Sequence, residues 1–183
     1  MREEWDILLP YMQCESEHTR RHTPYELDDF SLNELHGRSH ERIEALFPDW
    51  PPYPVVQWIN RELQALWSSP YAHGLLVAHD AMRALSKKGI CVTLRGLWRE
   101  SCYVYLMGLT DQEPLRELEP SALIHAPIIL QIAAKDEPAC REALLLAAWN
   151  HGFSICAQGD CDLLLLPPDQ SQNPDAPVFR LLI

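Results

Sequence analysis

The sequence predicts a mixed α/β (α+β) protein, with a helical N-terminal half around one short strand and a β-α-β-β-β C-terminal half. Three observations support this fold class. Apolar residues recur at helical spacing in residues 55–67 and 74–85, which indicates two amphipathic helices. Short apolar runs at residues 90–94 and 128–133 are bounded by glycine, proline or polar turns, which is typical of buried strands. After Pro114, strand-length segments surround a single helical pattern.

The composition indicates a globular protein with reduced cysteines and an acidic surface. The 183 residues suffice for one domain that buries about 70% of its unfolded surface without a disulfide or metal. The formal net charge of −11 argues against a duplex-DNA binder, because basic side chains supply most non-specific affinity for phosphates. The six cysteines form no CxxC pair and follow no secretory signal, so we expect thiols in the cytoplasm. No apolar run approaches the roughly 20 residues of a membrane span.

We divide the chain into three parts that together form one compact domain. Residues 1–54 form a helical segment that ends in the proline-rich linker PDWPPYP, residues 55–118 form a central core, and residues 119–183 form the β-rich half. Proline fixes φ and removes a backbone donor, so the linker is expected to be stiff and extended. Its Trp50 and Tyr53 are candidates for contact with a partner. Alternatively, these aromatic side chains pack over the domain's own core.

The N-terminal part contains a polar bend with three residues that could hold a metal. They are Cys14, His18 and His22, and the two histidines lie one helical turn apart. A Cys/His zinc site is one interpretation of this spacing. The other interpretation is a set of surface side chains, because no carboxylate completes a known ligand pattern.

The remaining elements follow from apolar spacing and turn residues. The central core is predicted to contain two helices, a strand and a third helix at residues 55–67, 74–85, 90–94 and 100–107. The third helix is apolar on nearly all sides, so Cys102 within it should be a buried, inert thiol. The β-rich half is predicted to contain a strand, a helix and three strands at residues 128–133, 137–150, 153–156, 162–166 and 178–183.

Arg95 and Gly96 stand between the predicted strand and the central helix. Free backbone N–H groups at a strand-to-helix turn commonly hold a phosphate. With Arg99 close by, these three residues are candidate phosphate-binding residues. Alternatively, the two arginines pair with Glu100 or Asp111.

A longer pattern surrounds this turn. It consists of Arg61-Glu62-Leu63, Tyr71, Val77, Asp80, Ala84, Gly89-Ile90, Val92, Arg95-Gly96, Ser101, Val104-Tyr105, Gly108, Thr110-Asp111 and Pro114-Leu115. On these positions, residues 28–115 resemble the palm region of the bacterial C-family replicative polymerases, the DNA polymerase III alpha subunits. The resemblance implies a nucleotidyltransferase-palm-like fold, with residues 55–118 as the palm-like core.

The chain departs from this family at the phosphate-binding loop. The resemblance implies that backbone amides and a serine hydroxyl hold a triphosphate there, but Leu97 stands in place of the serine. Trp98 and Glu100 replace small residues, which fills the pocket and places a carboxylate near a polyanion. We therefore expect the scaffold to be retained and triphosphate binding to be lost, with Trp98 a candidate contact residue for a partner.

The family holds its catalytic metal ions with an Asp-x-Asp pattern on a later strand. The matching residues are Asp160 and Asp162, on either side of Cys161. Alternating carboxylates at the start of a strand point the same way, as magnesium requires. Alternatively, Gln158, Gly159 and Asp160 simply form a hairpin turn.

Together these observations predict a catalytically inactive, palm-like interaction protein without a cofactor. The resemblance implies a protein partner in DNA replication or repair, and we expect neither direct duplex-DNA binding nor a membrane. One alternative is a diverged magnesium-dependent nucleotidyltransferase with Asp160 and Asp162 as catalytic residues. Another is an acidic inhibitor, immunity protein or DNA mimic, in which the 26 acidic side chains would cluster on one face.

Overall fold

A computed structural model describes residues 29–49, 51–67, 69, 71–114, 118–159, 162–167 and 176–183. The helices are α1 (Asp29–Leu46), α2 (Tyr53–Trp67), α3 (Ala72–Lys87), α4 (Cys102–Leu106), α5 (Pro120–Leu123) and α6 (Glu137–Asn150). The strands are β1 (Thr93–Arg95), β2 (Ile128–Gln131), β3 (Ser154–Gln158), β4 (Asp162–Leu166) and β5 (Val178–Leu182). Short 3-10 helices span Leu97–Glu100 and Ala134–Asp136. The predicted mixed α/β class, with its helical first half and β-α-β-β-β second half, is confirmed.

Several element boundaries differ from the predicted ones. The first strand, predicted at residues 90–94, spans Thr93–Arg95. Helix α2 begins at Tyr53, so the stiff linker ends earlier than predicted, and Pro54 occupies the first helical turn, where its missing N–H costs nothing. The predicted helix at residues 100–107 begins later, because Ser101 is extended and its hydroxyl accepts a hydrogen bond from the N–H of Val104.

Within these described ranges, the sheet has five strands in the order β1-β2-β5-β4-β3. Only β2 and β5 are parallel, and the other neighbouring pairs are antiparallel. Side chains on one face of the sheet are buried: Leu94, Ile128, Leu130, Leu163, Leu165, Phe179 and Leu181. Helix α3 lies on this face, where a Cβ on Gly74 would be 2.7 Å from Cδ1 of Ile128. Glycine at this position permits the close approach of helix and sheet.

The opposite face of the sheet is only partly covered within the described residues. Its side chains are half-buried or exposed, and we call it the open face, defined by Arg95, Ile129, Gln131, Asp162 and Arg180. The strand register places Arg95 beside Ile129, Ile129 beside Arg180, and Arg180 beside Asp162. A single row of side chains therefore crosses four neighbouring strands. In the described part of the chain, no helix is long and apolar enough to cross a membrane.

An ion-pair cluster fixes α1 against α3 and the end of α6. Nη1 of Arg38 donates to Oδ1 of Asp80 at 2.6 Å, and Nε2 of His151 lies 2.9 Å from Oδ2 of the same carboxylate. Arg38 also pairs with Glu34 one helical turn away. Nη1 of Arg38 lies 2.7 Å from Nδ1 of His79, and because a guanidinium only donates, this nitrogen carries no proton.

The cluster shifts the pKa values of two of its members in the same direction. Burial alone would raise the pKa of Asp80, but hydrogen bonds from Arg38 and His151 and the charge of Arg38 hold it at about 2. Burial lowers the pKa of His79, and the nearby charge of Arg38 lowers it further. The ionised Asp80 and the neutral His79 are therefore the forms that stabilise the fold.

Replacing Asp80 with asparagine should lower the free energy of unfolding by about 1.5–3 kcal/mol, because Arg38 would lose its charged acceptor in a partly buried site. Urea denaturation at neutral pH measures this change. Asp111→Asn is the matched control. The exposed carboxylate of Asp111 lies 3.9 Å from Arg42 in the parent chain, and its removal should not measurably change the free energy of unfolding. Equal losses in the two variants would contradict the role of the cluster.

Stability should also fall as the pH is lowered below about 6.5, the ordinary pKa of histidine. Below that pH the unfolded chain takes up a proton on His79, whereas the folded chain resists protonation because its pKa is lowered. The His79→Gln variant keeps an acceptor for Arg38 but does not titrate. Urea denaturation across this pH range should show a smaller loss of stability in the variant, and an identical pH dependence in both proteins would rule out this contribution.

Candidate functional site

The Arg95–Gly96 turn joins β1 to the 3-10 helix Leu97–Glu100 at one edge of the sheet. Gly96 has φ 75° and ψ −159°, a conformation that residues with a Cβ rarely adopt. A Cβ at this position would also lie 3.2 Å from Cδ1 of Ile129. The predicted strand and turn are therefore present, and Gly96 is required for the path of the chain.

The side chain of Arg95 is held on the sheet. Its Nε donates to Oε1 of Gln131 on the neighbouring strand at 2.6 Å. The alternative in which the two arginines pair with Glu100 or Asp111 stays a prediction, although Asp111 lies 3.9 Å from Arg42. Arg99, the other candidate phosphate-binding arginine, is half-buried in the 3-10 helix.

Trp98 is fully buried directly after the turn. Its Nε1 donates to the carbonyl oxygen of Ala126 at 2.7 Å, and its ring lies 6.4 Å from the ring of Tyr71 in a tilted arrangement. A buried indole with a satisfied N–H is typical of a structural role. The interpretation of Trp98 as a contact residue for a partner does not fit this position, whereas its predicted role in filling the space behind the turn does.

The side chain of Glu62, which belongs to α2, lies at the start of α4. The sequence did not identify it as a site residue. Its carboxylate accepts hydrogen bonds from the hydroxyl of Ser101 at 2.6 Å and from the N–H groups of Cys102 and Tyr103 at 3.0 and 2.8 Å. Burial raises the pKa of Glu62, although these hydrogen bonds oppose the shift. The first N–H groups of a helix favour an anion, and here the protein supplies its own.

Asp162 lies on the open face at the start of β4. Its Oδ1 is 3.4 Å from Nε of Arg180 on the neighbouring strand. Arg95 is three strands away along the same row, which corresponds to roughly 14 Å at the usual spacing between strands. The candidate metal residue and the candidate phosphate turn thus share a face of the sheet without being in contact.

Several predicted site residues lie outside the described part of the chain: Cys14, His18, His22, Trp50 and Asp160. The zinc and Asp-x-Asp interpretations therefore stay predictions. Among the residues that the structure does describe, no group of three or more His, Cys, Asp or Glu side chains could hold a metal ion. Tyr53 is exposed, and its hydroxyl accepts a hydrogen bond from Nε2 of Gln57 at 2.8 Å. Cys102 is buried as predicted, and burial raises its pKa to about 12.

Neither a family model nor a curated protein sequence matches this chain. The resemblance to the polymerase palm therefore stays a hypothesis that depends on its own motif residues. The chemistry of the described site follows from its contacts. The guanidinium of Arg95 has Gln131 as a partner on the sheet, and the carboxylate of Asp162 has Arg180. The carboxylate of Glu62 accepts hydrogen bonds from the N–H groups of Cys102 and Tyr103, which could otherwise hold an external anion.

Replacing Glu62 with glutamine should lower the free energy of unfolding by about 2–3 kcal/mol, because buried hydrogen bonds to a charged acceptor are lost and an amide N–H₂ group faces backbone donors. Urea denaturation measures the loss. Glu100→Gln removes an exposed carboxylate close to the same turn and should leave stability unchanged. A Glu62→Gln variant as stable as the parent would show that the carboxylate does not hold α4.

Proposed function

We propose that this chain is a non-catalytic, palm-like interaction protein that binds a protein partner of the DNA replication or repair machinery and needs no cofactor. The observation that carries the loss of catalysis is the carboxylate of Glu62 on the N–H groups of Cys102 and Tyr103. A triphosphate bound at the start of α4 would compete with this anion for the same donors. Two negative groups in a poorly solvated site repel each other strongly.

The groups around the turn support the same conclusion. Arg95 is the first candidate cation for a phosphate, and its Nε already donates to Gln131. Trp98 fills the space between the turn and the residues that follow α5, where its indole is bonded to Ala126. The hydroxyl of Ser101, directly after the 3-10 helix, donates to Glu62. The side chains of Arg95, Trp98 and Ser101 thus each have a partner within the protein, which supports the proposed loss of phosphate binding at this turn.

The class of partner follows from the resemblance and from the charge of the chain. A net charge of −11 accelerates association with a basic surface and opposes binding to the phosphates of a duplex. Tyr53 is an exposed aromatic residue at the start of α2 and could contact such a partner. We also propose a cytoplasmic location, since Cys91 and Cys156 are exposed free thiols, which a reducing compartment preserves.

A diverged magnesium-dependent nucleotidyltransferase is the second candidate function. The observation that favours it is the position of Asp162 on the open face, in the same row as Arg95. In that function Asp160 and Asp162 would hold magnesium. The pairing of Asp162 with Arg180 opposes metal binding, because the ion would have to displace a cation from the carboxylate.

Thermal melting with magnesium and each of ATP, GTP, CTP and UTP separates these two functions. The interaction protein should show no change in melting temperature, whereas a nucleotide at a hundred times its dissociation constant adds about 2.7 kcal/mol to stability. Asp162→Asn is the control for any shift. A nucleotide-dependent shift that disappears in this variant would replace the proposal with the nucleotidyltransferase.

The partner assignment is tested by affinity capture with the full chain from a cytoplasmic extract. A replication or repair protein should be retained at low salt and lost as the salt concentration rises, because the acidic surface contributes to the association. Tyr53→Ser should reduce the amount retained if this exposed ring contacts the partner. Capture that yields no such protein would contradict the assignment.

A further inference from the structure

In the part of the chain that the structure describes, no segment pairs with the outer side of the edge strand β3. This strand ends the sheet, and within the described residues it pairs with β4 alone, over five consecutive residues and without a bulge. Its sequence, Ser-Ile-Cys-Ala-Gln, contains no charge and no proline. Edge strands of soluble proteins generally carry lysine, proline or a bulge, because their open N–H and C=O groups otherwise recruit another strand. The outer side of β3 lacks these features and is suited to pair with a further strand.

Helix α6, which packs against β3, carries an exposed apolar stripe. The stripe consists of Leu145, Leu146 and Trp149, whose exposed fractions are 52%, 61% and 79%. Helix α6 packs against α3 and β3, and the stripe is on the exposed part of its surface. A tight turn, closed by the N–H of Phe153 on the carbonyl of Ala148, leads from the helix directly into the strand. We call the stripe and residues 154–158 together the β3–α6 surface.

The charge distribution allows a second copy of the chain to occupy the β3–α6 surface. Two molecules of net charge −11 repel each other over most approaches. The β3–α6 surface itself is uncharged, and nearby carboxylates on α6 are balanced: Glu142 lies 3.8 Å from Lys88, and Glu137 pairs with Arg141. Two copies can therefore meet here with little repulsion.

The two parts of the surface also define what the occupant must supply. Three side chains of at most about 250 Å² each cannot reach the roughly 800 Å² per partner that a stable interface buries. An occupant therefore has to pair with β3 and cover the stripe at once. A second copy provides both an open strand and an apolar helix face, related by a twofold axis.

We propose that two copies of this chain form a symmetric dimer through antiparallel pairing of their β3 strands. The two sheets of five strands join into one continuous sheet, and the α6 stripes pack against each other above the twofold axis. Cys156 is the middle residue of β3, so full pairing of the strands places it opposite its own copy.

Sedimentation velocity of the full chain tests the dimer directly. At about 100 µM, above the micromolar constants of weak standard-size interfaces, the chain should sediment as a dimer and dissociate on dilution. Trp149→Lys and Cys156→Lys should each give a monomer, because two like charges would face each other across the axis. Tyr53→Lys is the matched control: its side chain is 71% exposed on α2, and this variant should stay dimeric. Circular dichroism and melting of all three variants confirm that they fold.

Hydrogen exchange of the β3 amides completes the test. In the proposed dimer their protection should rise with protein concentration and fall in Trp149→Lys. A parent chain that sediments as a monomer at every concentration would overturn the proposal. A monomer whose β3 amides are nevertheless protected would show that another segment of the chain covers the edge. Dimers that persist in both Trp149→Lys and Cys156→Lys would place the interface elsewhere on the molecule.

Discussion

The buried carboxylate of Glu62 is the interaction on which the arrangement around the Arg95–Gly96 turn depends. It joins α2 to the first turn of α4 through one hydroxyl and two backbone N–H groups. Because α4 follows the turn after a single 3-10 segment, this contact also restricts where the turn can lie. An uncompensated carboxylate would be costly in this position, so its donors have to be in place whenever the domain is folded.

Glu62 and the buried indole of Trp98 have a common effect on the structure around the turn. The carboxylate of Glu62 accepts hydrogen bonds from backbone amides at the start of α4, and the indole fills the space behind the Arg95–Gly96 turn. Both side chains therefore hold the segment that follows the turn against the rest of the fold. These internal contacts are consistent with the proposal of a non-catalytic protein that acts through its surface.

The sequence predicted those elements whose signals are local. Helix α6 and strand β4 begin and end where apolar spacing and turn residues placed them. Glu62 could have been recognised, since it falls between Ile59 and Leu66 on the apolar face of α2, but its donors lie about forty residues away. The ion pair of Arg38 with Asp80 and the contact of Asp80 with His151 span 42 and 71 positions. Such pairings depend on tertiary packing, which periodicity does not encode.

Strand β5 lies between β2 and β4, and among the described residues it is the strand that joins two antiparallel pairs, β1 with β2 and β3 with β4. Each pair alone is a two-stranded ribbon, which is marginally stable in water. During synthesis, both ribbons therefore have to wait for a strand that emerges from the ribosome after them. Throughout that interval β2 and β4 each present an open apolar edge, so a nascent chain of this topology depends on rapid completion or on chaperone protection to escape aggregation.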